Sequence, residues 1–176
     1  MAPTQTATPA TQQSQVPGTL GALQTFASAI YPYTIGYPVG WSVGKAQQML
    51  ANGDQPLMSI LAADRFTRNP ATDTQPLILI GAQPVPASMT PESWGAFTVK
   101  FAAPEIGCQP SRNEPTTVGG ESAITYIYEC DGFVFWTAVV HGNLGYDVLL
   151  LGDPADNETA DRAVYDQMVK TFAFTK

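Results

Sequence analysis

The sequence contains a single histidine, His141, and this limits the chemistry that the chain can perform. A zinc site built on two histidines needs a second imidazole, so it is excluded. A Ser-His-Asp triad would depend on His141, and no G-x-S-x-G sequence is present to hold a serine nucleophile. His141 ends an apolar run, and we interpret it as a structural residue at a strand end.

Paired carboxylates can hydrolyse glycosidic bonds without a histidine. The candidates lie in or near the predicted central strands and are Glu121, Glu129, Asp131 and Asp147. Two of them flank Cys130 at a predicted hairpin end, where exposed charge is expected in any protein. A hydrolase with a carboxylate site is therefore the third function that we consider.

A further polar group could ligate calcium through its oxygen atoms and consists of Asp153, Asp156, Asn157 and Glu158. It lacks the spacing and the glycine of an EF-hand loop and precedes a predicted helix, so we interpret it as helix capping by the segment 153–156. Gly119 and Gly120 precede a strand, where they cannot direct helix amides at a phosphate. We predict no metal and no cofactor.

The two cysteines, Cys108 and Cys130, indicate the kind of cellular compartment in which the protein is located. Cys130 ends a predicted strand and Cys108 lies in the loop that leads back toward it, so we predict a disulfide. Disulfides persist in oxidising compartments, which favours an extracytoplasmic protein. The alternative is a pair of buried free thiols in a cytosolic protein, and a count of free thiols in the unreduced folded protein distinguishes the two.

Aromatic side chains are unusually frequent in the predicted strands. Tyrosine and tryptophan offer large contact areas at low entropic cost, so these residues are a candidate face for binding a protein or an apolar ligand. Packing in the core is the alternative. The residues are Tyr33, Tyr37, Trp41, Tyr126, Tyr128 and Trp136.

The region from Glu121 to Gly152 must position most of these groups, and it is typical of three consecutive antiparallel strands. Residues 122–130 are rich in β-branched and aromatic side chains, and Asp131-Gly132 favours a tight turn. Residues 133–141 are apolar at nearly every position, which predicts a strand covered on both faces. Residues 146–151 return the chain as the third strand.

The preceding region contains mixed signals. Thr90 followed by Pro91 is the clearest helix start, and Trp94, Phe97 and Phe101 form an apolar stripe that we expect to pack on the sheet. The other expectations are a helix over 20–29, strands at 33–37 and 42–43, a helical turn at 45–50, a strand at 57–63, an exposed loop over 64–75, a strand at 77–83 and a loop over 103–115.

The last helix is predicted from a buried stripe and a solvated face. The buried stripe consists of Ala160, Val164 and Met168; the solvated face consists of Glu158, Asp161 and Asp166. Residues 172–174 follow as a short strand or a hydrophobic plug. Together the elements predict an α+β fold, an antiparallel sheet with helices packed on it, over residues 20–176.

Residues 1–19 are rich in Thr, Pro and Gln, which predicts a disordered tether, and we interpret Met1 as an added initiator. Such leaders join a membrane anchor, here expected outside this sequence, to a domain on a bacterial surface. The net charge of −7 and the scattered cations disfavour nucleic acid and anionic membrane surfaces as partners.

Several motifs together resemble the PsbP-like domains over about Tyr31 to Phe174. They are Tyr33-x-Ile-x-Tyr-Pro-x-Gly-Trp41, Thr90-Pro-Glu-Ser-Trp94, Gly119-Gly-Glu-x-Ala123 and Asp166-x-Met-x-x-Thr-Phe-x-Phe174. This superfamily includes the photosystem II extrinsic protein PsbP, LpqN-type bacterial lipoproteins and a Ran-binding regulator. The resemblance implies an α/β/α sandwich that binds proteins or assists assembly, in a superfamily that is not known mainly for catalysis.

The leading prediction is thus an extracytoplasmic binding or assembly module for an envelope or extracellular protein, as the soluble part of a bacterial surface lipoprotein. The second is a carrier of a small apolar ligand in a pocket between sheet and helices. The carboxylate hydrolase remains the third.

Overall fold

The structure, a computed structural model, describes residues 21–50, 60–69, 74–152 and 157–176. Its described elements in chain order are β1 (Leu23–Ala27), β2 (Tyr33–Pro38), β3 (Ser42–Gly44), a 3-10 turn (Ile60–Ala62), β4 (Asp64–Asn69), β5 (Thr74–Pro84), α1 (Pro91–Ile106), β6 (Arg112–Val118), β7 (Glu121–Cys130), β8 (Gly132–His141), β9 (Leu144–Gly152), α2 (Glu158–Lys170) and β10 (Ala173–Phe174). None of the described helices is long and apolar enough to cross a membrane.

A seven-stranded antiparallel sheet is the central layer, with the order β3-β4-β5-β9-β8-β7-β6. Successive residues of a strand point to opposite faces, so this sheet contributes to a core on each side. On one side α2 and a small sheet of order β1-β2-β10 complete the core; on the other side α1 lies across β7 and β8. The α+β sandwich predicted from the sequence is confirmed.

Helix α1 begins as the sequence predicts. The Thr90 side chain accepts a hydrogen bond from the Ser93 amide, Ser93 caps the Thr90 amide in return, and Pro91 opens the first turn. Trp94 is fully buried, but Phe97 and Phe101 are only half-buried. The stripe that faces the sheet consists of Trp94, Gly95, Thr98, Ala102 and Ala103. The small residues of this stripe allow the helix backbone to lie close to the sheet.

The helix expected over residues 20–29 is wrong where the structure describes it. Residues 23–27 form β1, which pairs with β2 so that Phe26 lies opposite Ile35. Phe26 is buried and its ring meets that of Phe66 edge-on, at 5.3 Å between centroids. Because only pairing with β2 carries Phe26 into this core, the tertiary contact outweighs the helical spacing of the apolar residues.

The segment from Lys45 to Asn69 also differs from the prediction. No helical turn forms at 45–50, because the Ala46 amide donates to Asp64 Oδ1 and the Gln47 amide donates to the Leu61 carbonyl. Residues 60–62 form a 3-10 turn instead of a strand, Ala63 lies in a bend, and residues 57–59 of the expected strand lie outside the described residues.

The loop expected over 64–75 contains β4, inserted between β3 and β5. Its polar start is tolerated because the buried Asp64 accepts hydrogen bonds from the Tyr33 hydroxyl and the Ala46 amide. The loop expected over 103–115 is also too long. Helix α1 continues to Ile106, and the edge strand β6 begins at Arg112.

The buried face of helix α2 differs from the predicted one. Its buried residues are Asp161, Tyr165, Met168 and Val169, whereas Ala160 is exposed. Asp161 was expected on the solvated face, but it is buried because Arg68 of β4 supplies a hydrogen-bonded ion pair. The N-cap is Asn157, whose side chain accepts from the Ala160 amide; the segment 153–156, predicted to cap this helix, lies outside the described residues. After α2 the chain forms β10, which pairs with β2.

Candidate functional site

The aromatic residues proposed as one binding face are divided between the two sides of the central sheet. Tyr33, Tyr37 and Trp41 belong to the core beside the small sheet, whereas Tyr126, Tyr128 and Trp136 lie under α1. Tyr33, Tyr128 and Trp136 are at most 2% exposed. The structure therefore does not bring the residues together, and their role in binding stays a prediction.

The predicted disulfide is present. Cys108 follows the C-terminal end of α1, Cys130 ends β7, and their Cα atoms are 6.5 Å apart. The bridge ties the end of α1 to the strand on which this helix lies.

His141 has contacts that fit a structural role. Its Nδ1 atom lies 3.0 Å from Glu121 Oε1, across the end of the β7–β8 hairpin. Its ring stacks on Phe174 of β10 with the centroids 4.0 Å apart and the planes almost parallel. His141 therefore joins the central sheet to the C-terminal strand.

The carboxylates considered for hydrolysis are divided between the two ends of β7 and the core under α1. Glu121 and Glu129 are at opposite ends of β7, roughly 26 Å apart along an extended strand, and Asp131 is exposed in the turn. Asp147 is buried under α1, where the Trp136 indole donates to its Oδ1 over 2.8 Å. Burial raises the pKa of Asp147 well above its usual value. Of these four residues, Glu129 and Asp131 are neighbours, and both are exposed at the hairpin end.

The calcium candidates give no cluster in the described part of the chain. Asn157 is engaged as the N-cap of α2, and Asp153 and Asp156 lie outside the described residues. Within those residues no group of three or more His, Cys, Asp or Glu side chains could hold a metal ion.

A polar cleft of about 310 Å³ lies between the β6 edge of the sheet and α2. The strands build its floor and one wall, and the helix builds the other wall. Its lining residues are Glu114, Pro115, Thr116, Thr117, Thr125, Thr137, Arg162, Tyr165, Asp166, Val169 and Lys170. We refer to this site as the cleft. It opens where threonines replace the large apolar residues that fill the rest of this sheet face.

A chain of hydroxyl groups crosses the floor of the cleft. The Tyr165 hydroxyl donates to the Val148 carbonyl over 2.9 Å and lies 2.6 Å from Thr137 Oγ1, which is 2.7 Å from Thr125 Oγ1. Because the only Tyr165 proton goes to Val148, Thr137 donates to Tyr165 and Thr125 donates to Thr137. Thr125 Oγ1 therefore presents lone pairs at the start of the chain. The floor of the cleft is a hydrogen-bond acceptor.

Charged groups form the wall on α2. Arg162 bridges two carboxylates, with Nη2 3.1 Å from Glu114 Oε2 on β6 and Nε 2.9 Å from Asp166 Oδ1 one turn along the helix. The guanidinium also lies over the Phe135 ring, 4.5 Å from its centroid. The hydrogen bond from Arg162 is the largest cause that lowers the pKa of Glu114. The bridge therefore links Arg162 of α2 both to β6 and to the next turn of the helix.

Lys170 lies at the other end of the cleft wall. Arg162, Asp166 and Lys170 follow each other at intervals of four residues, so they share one side of α2 over about 12 Å. Lys170 is exposed and forms no ion pair with any residue that the structure describes. The cleft thus combines two cations, two carboxylates and an acceptor floor, and it suits a ligand that both donates and accepts hydrogen bonds.

The outer edge of β6 is poorly suited to pairing with another strand. Pro115 interrupts it in the middle, opposite Ile124 of β7. Proline has no amide hydrogen, and its place in a regular ladder requires the nitrogen to face away from β7. Arg112 and Glu114 add charges on this strand. Recognition at this edge is therefore expected through side chains in the cleft.

Sequence reasoning missed the cleft as a site. The i,i+4 spacing of Arg162, Asp166 and Lys170 was a usable signal, but the pattern of α2 was interpreted only for burial. No pattern links these residues to Glu114 and Thr116, about 50 positions earlier in the chain.

Comparison with known proteins gives matches at the level of structure. No protein-family model matches the sequence, and no curated protein matches it. The structure is similar to that of cyanobacterial PsbP (CyanoP) from Synechocystis sp. PCC 6803, with a TM-score of 0.60 and 13% identity over 92% of this chain and 97% of that one. A crystal structure from Bacteroides thetaiotaomicron matches with a TM-score of 0.53 and 12% identity over 90% of this chain and half (50%) of that one. LpqN, described as involved in cell envelope biogenesis of Mycobacterium tuberculosis, gives a TM-score of 0.42 and 16% identity over 91% and 88% of the two chains.

Proposed function

We propose that this chain, which has the PsbP-like fold, is a non-catalytic binding or assembly module for an envelope or extracellular protein and that its recognition site is the cleft. The observation that carries the proposal is the fixed set of polar groups in an open groove: Arg162 held by Glu114 and Asp166, beside the ordered hydroxyls of Thr125 and Thr137.

Such an arrangement favours binding because the protein groups are ordered before the partner arrives. Immobilising a long side chain costs about 0.5 to 1.5 kcal/mol when it happens on association. Arg162 already makes contacts at both its Nη2 and Nε atoms and rests on Phe135, so part of this cost is met in the free protein. A short polar segment of a partner can then exchange water for protein hydrogen bonds in the cleft.

The disulfide supports a location outside the cytoplasm. Disulfides are rare in proteins of reducing compartments, and this one joins Cys108 to Cys130 at the end of the α1 layer, on the opposite side of the sheet from α2. In the proposed arrangement the domain acts at the bacterial surface, attached through an N-terminal anchor as the soluble part of a lipoprotein.

The second prediction, a carrier for an apolar ligand, gains no support from the cleft. Only Pro115 and Val169 among its lining residues lack a polar side-chain atom. Pockets for apolar ligands are lined mostly by hydrophobic and aromatic side chains. The separated carboxylates likewise give no support to a hydrolase.

Site-specific photocrosslinking tests the proposal. A benzophenone amino acid replaces Thr117, which lines the cleft and is exposed, and in a matched control it replaces Lys100, which is exposed on α1. Both proteins are irradiated, without reducing agent, in an extract of the source organism. We expect a discrete crosslinked protein from the Thr117 position, and its yield should fall when Arg162→Gln breaks the bridge.

A partner that crosslinks equally from both positions, or whose yield is insensitive to Arg162→Gln in a folded variant, would argue against the cleft as the recognition site. Native mass spectrometry of the unreduced protein from the same source adds an independent readout. A bound small molecule of defined mass, without a co-purifying protein, would favour a carrier instead.

A further inference from the structure

The described chain begins next to one end of the cleft. The side chains of Leu23 and Thr171 meet over Gly36. A β-carbon on this glycine would lie 3.1 Å from Leu23 Cδ1 and 2.9 Å from Thr171 Oγ1. The Gly36 amide also donates to Thr171 Oγ1 over 2.7 Å. Thr171 directly follows Lys170, which lines the cleft. Leu23, near the start of the described chain, therefore lies close to the Lys170 end of the cleft.

The sequence of this preceding segment is complementary to the cleft. Residues 1–20 contain no Asp, Glu, Lys, Arg or His, and Thr, Gln and Ser make up 10 of the 20 residues. A charged ligand would meet a like charge in the cleft, either Arg162 and Lys170 or Glu114 and Asp166. Neutral hydroxyl and amide side chains meet no like charge. They also supply the donors that the floor at Thr125 accepts and the acceptors that Lys170 requires.

The segment is also long enough to reach the whole groove. Twenty residues of extended chain span about 66 Å, whereas the α2 wall from Arg162 to Lys170 is about 12 Å long. Tethering raises the effective concentration of a ligand into the millimolar range for short linkers, so weak contacts are sufficient for occupancy. Pro3, Pro9 and Pro17 restrict the backbone before docking, which reduces the entropy lost on binding.

We infer that the N-terminal segment of this chain, residues 3–19, docks in the cleft as an intramolecular ligand and competes there with the external partner. The inference rests on the proposed use of the cleft for recognition, but it does not depend on what the partner is. Binding of the partner would release the segment and lengthen the link between the domain and its anchor. Docking and partner binding are thus mutually exclusive.

Paramagnetic relaxation in the full-length chain tests the inference. A nitroxide is attached to Thr8→Cys, because both native cysteines are held in the disulfide and do not react. The amide signals of Thr116, Thr117 and Lys170 report on the cleft, and the exposed Lys100 on α1 reports on the opposite side of the sheet. We expect intensity losses at the cleft amides that are at least about twofold greater than at Lys100. A docked segment keeps the nitroxide near the cleft for longer than a tethered random chain would.

The cleft amides could also lose intensity simply because the segment is attached nearby. A matched pair of variants distinguishes this effect from docking. Thr116→Lys places a long charged side chain inside the cleft, and Ala96→Lys adds the same side chain on the exposed side of α1. Docking predicts that Thr116→Lys restores the signals of Thr117 and Lys170, while Ala96→Lys leaves the broadening unchanged. Equal broadening in both variants, with native spectra elsewhere, would overturn the inference.

The outcome for the segment is distinguishable from the outcome for the proposed function. If the broadening is insensitive to Thr116→Lys while the partner still crosslinks from Thr117 in an Arg162-dependent way, the cleft binds a partner and the segment does not compete. If the broadening depends on the cleft but no partner crosslinks there, the segment is its ligand and the proposed function fails.

Discussion

Replacement of Asp147 by Asn is expected to change the pH dependence of stability. Asp147 is 1% exposed, and its contact in the core is the Trp136 indole, which donates to Oδ1 over 2.8 Å. Burial raises the pKa of Asp147 well above its ordinary value, although the indoles of Trp136 and Trp94 oppose this shift. Burial therefore favours the neutral, protonated form of this carboxyl in the folded protein.

The sign of the effect follows from the proton count. In the unfolded chain Asp147 ionises near pH 3.9, whereas in the folded protein it keeps its proton to a higher pH. Between these two values the folded state binds one more proton, so the free energy of unfolding falls as the pH rises. The stabilisation is fully present below pH of about 3.9 and is lost as the pH rises through the folded pKa. The maximum slope for one proton is about 1.4 kcal/mol per pH unit.

The Asp147→Asn variant has nearly the same shape, retains an acceptor for Trp136 and cannot ionise. Urea unfolding followed by tryptophan fluorescence, at pH values from about 4 to 8, gives the free energy of unfolding of both proteins. We expect the free energy of unfolding of the variant to increase relative to that of the native protein as the pH rises. The increase is up to about 1.4 kcal/mol per pH unit and ends once the pH passes the pKa of Asp147 in the folded native protein. The contributions of all other titrating groups cancel in the difference between the two free energies of unfolding.

A constant offset between the two proteins would reflect the cost of the extra amide hydrogens and would not affect the reasoning. A difference that is independent of pH over this range, or a variant that loses stability relative to the native protein as the pH rises, would refute the assignment of Asp147 as a buried neutral acid. Glu114→Gln is a useful control. The pKa of the Glu114 carboxyl is lowered in the folded protein, so its contribution to stability rises with pH, opposite to that of Asp147.

Three further effects are expected. Reduction of the disulfide, which closes a loop with a sequence separation of 22, should lower the free energy of unfolding by about 3 kcal/mol, measured by urea titration with and without reductant. Tyr165→Phe removes the donor to the buried Val148 carbonyl and should cost about 1 to 2 kcal/mol in the same assay; an unchanged stability would contradict the hydroxyl chain. His141→Ala removes the ring stacked on Phe174 and should cost about 0.5 to 1 kcal/mol, with amide exchange accelerated first in β10 rather than in α1.

The features that the sequence predicted correctly depend on neighbours along the chain. The start of α1 is decided by Thr90, Pro91 and Ser93, within one turn of each other. The turn between β7 and β8 is decided by Asp131-Gly132, where Gly132 adopts a φ of 106° that other residues avoid. The continuous apolar character of β8 correctly indicated a strand covered on both faces.

The errors arise where a distant partner decides the outcome. Residues 23–27 become a strand because β2 offers them a ladder, and Asp64 begins a buried strand because Tyr33 and Ala46 satisfy its carboxylate. Asp161 is buried because Arg68 lies beside it. A local pattern contains no information about any of these partners, so propensity and polarity gave the wrong assignment.

The α+β class, the central meander, the disulfide and the PsbP-like resemblance could be predicted from the sequence, because these depend on short-range periodicity, turn residues and composition. The places where distant side chains meet depend on the packing of the whole chain. The two-residue period of β8 sends Phe135 and Trp136 to opposite cores, whereas the edge position of β6 and the crossing of α2 bring Glu114 to Arg162. Sheet order and helix placement, which create the cleft, are properties of the packed chain and not of any segment within it.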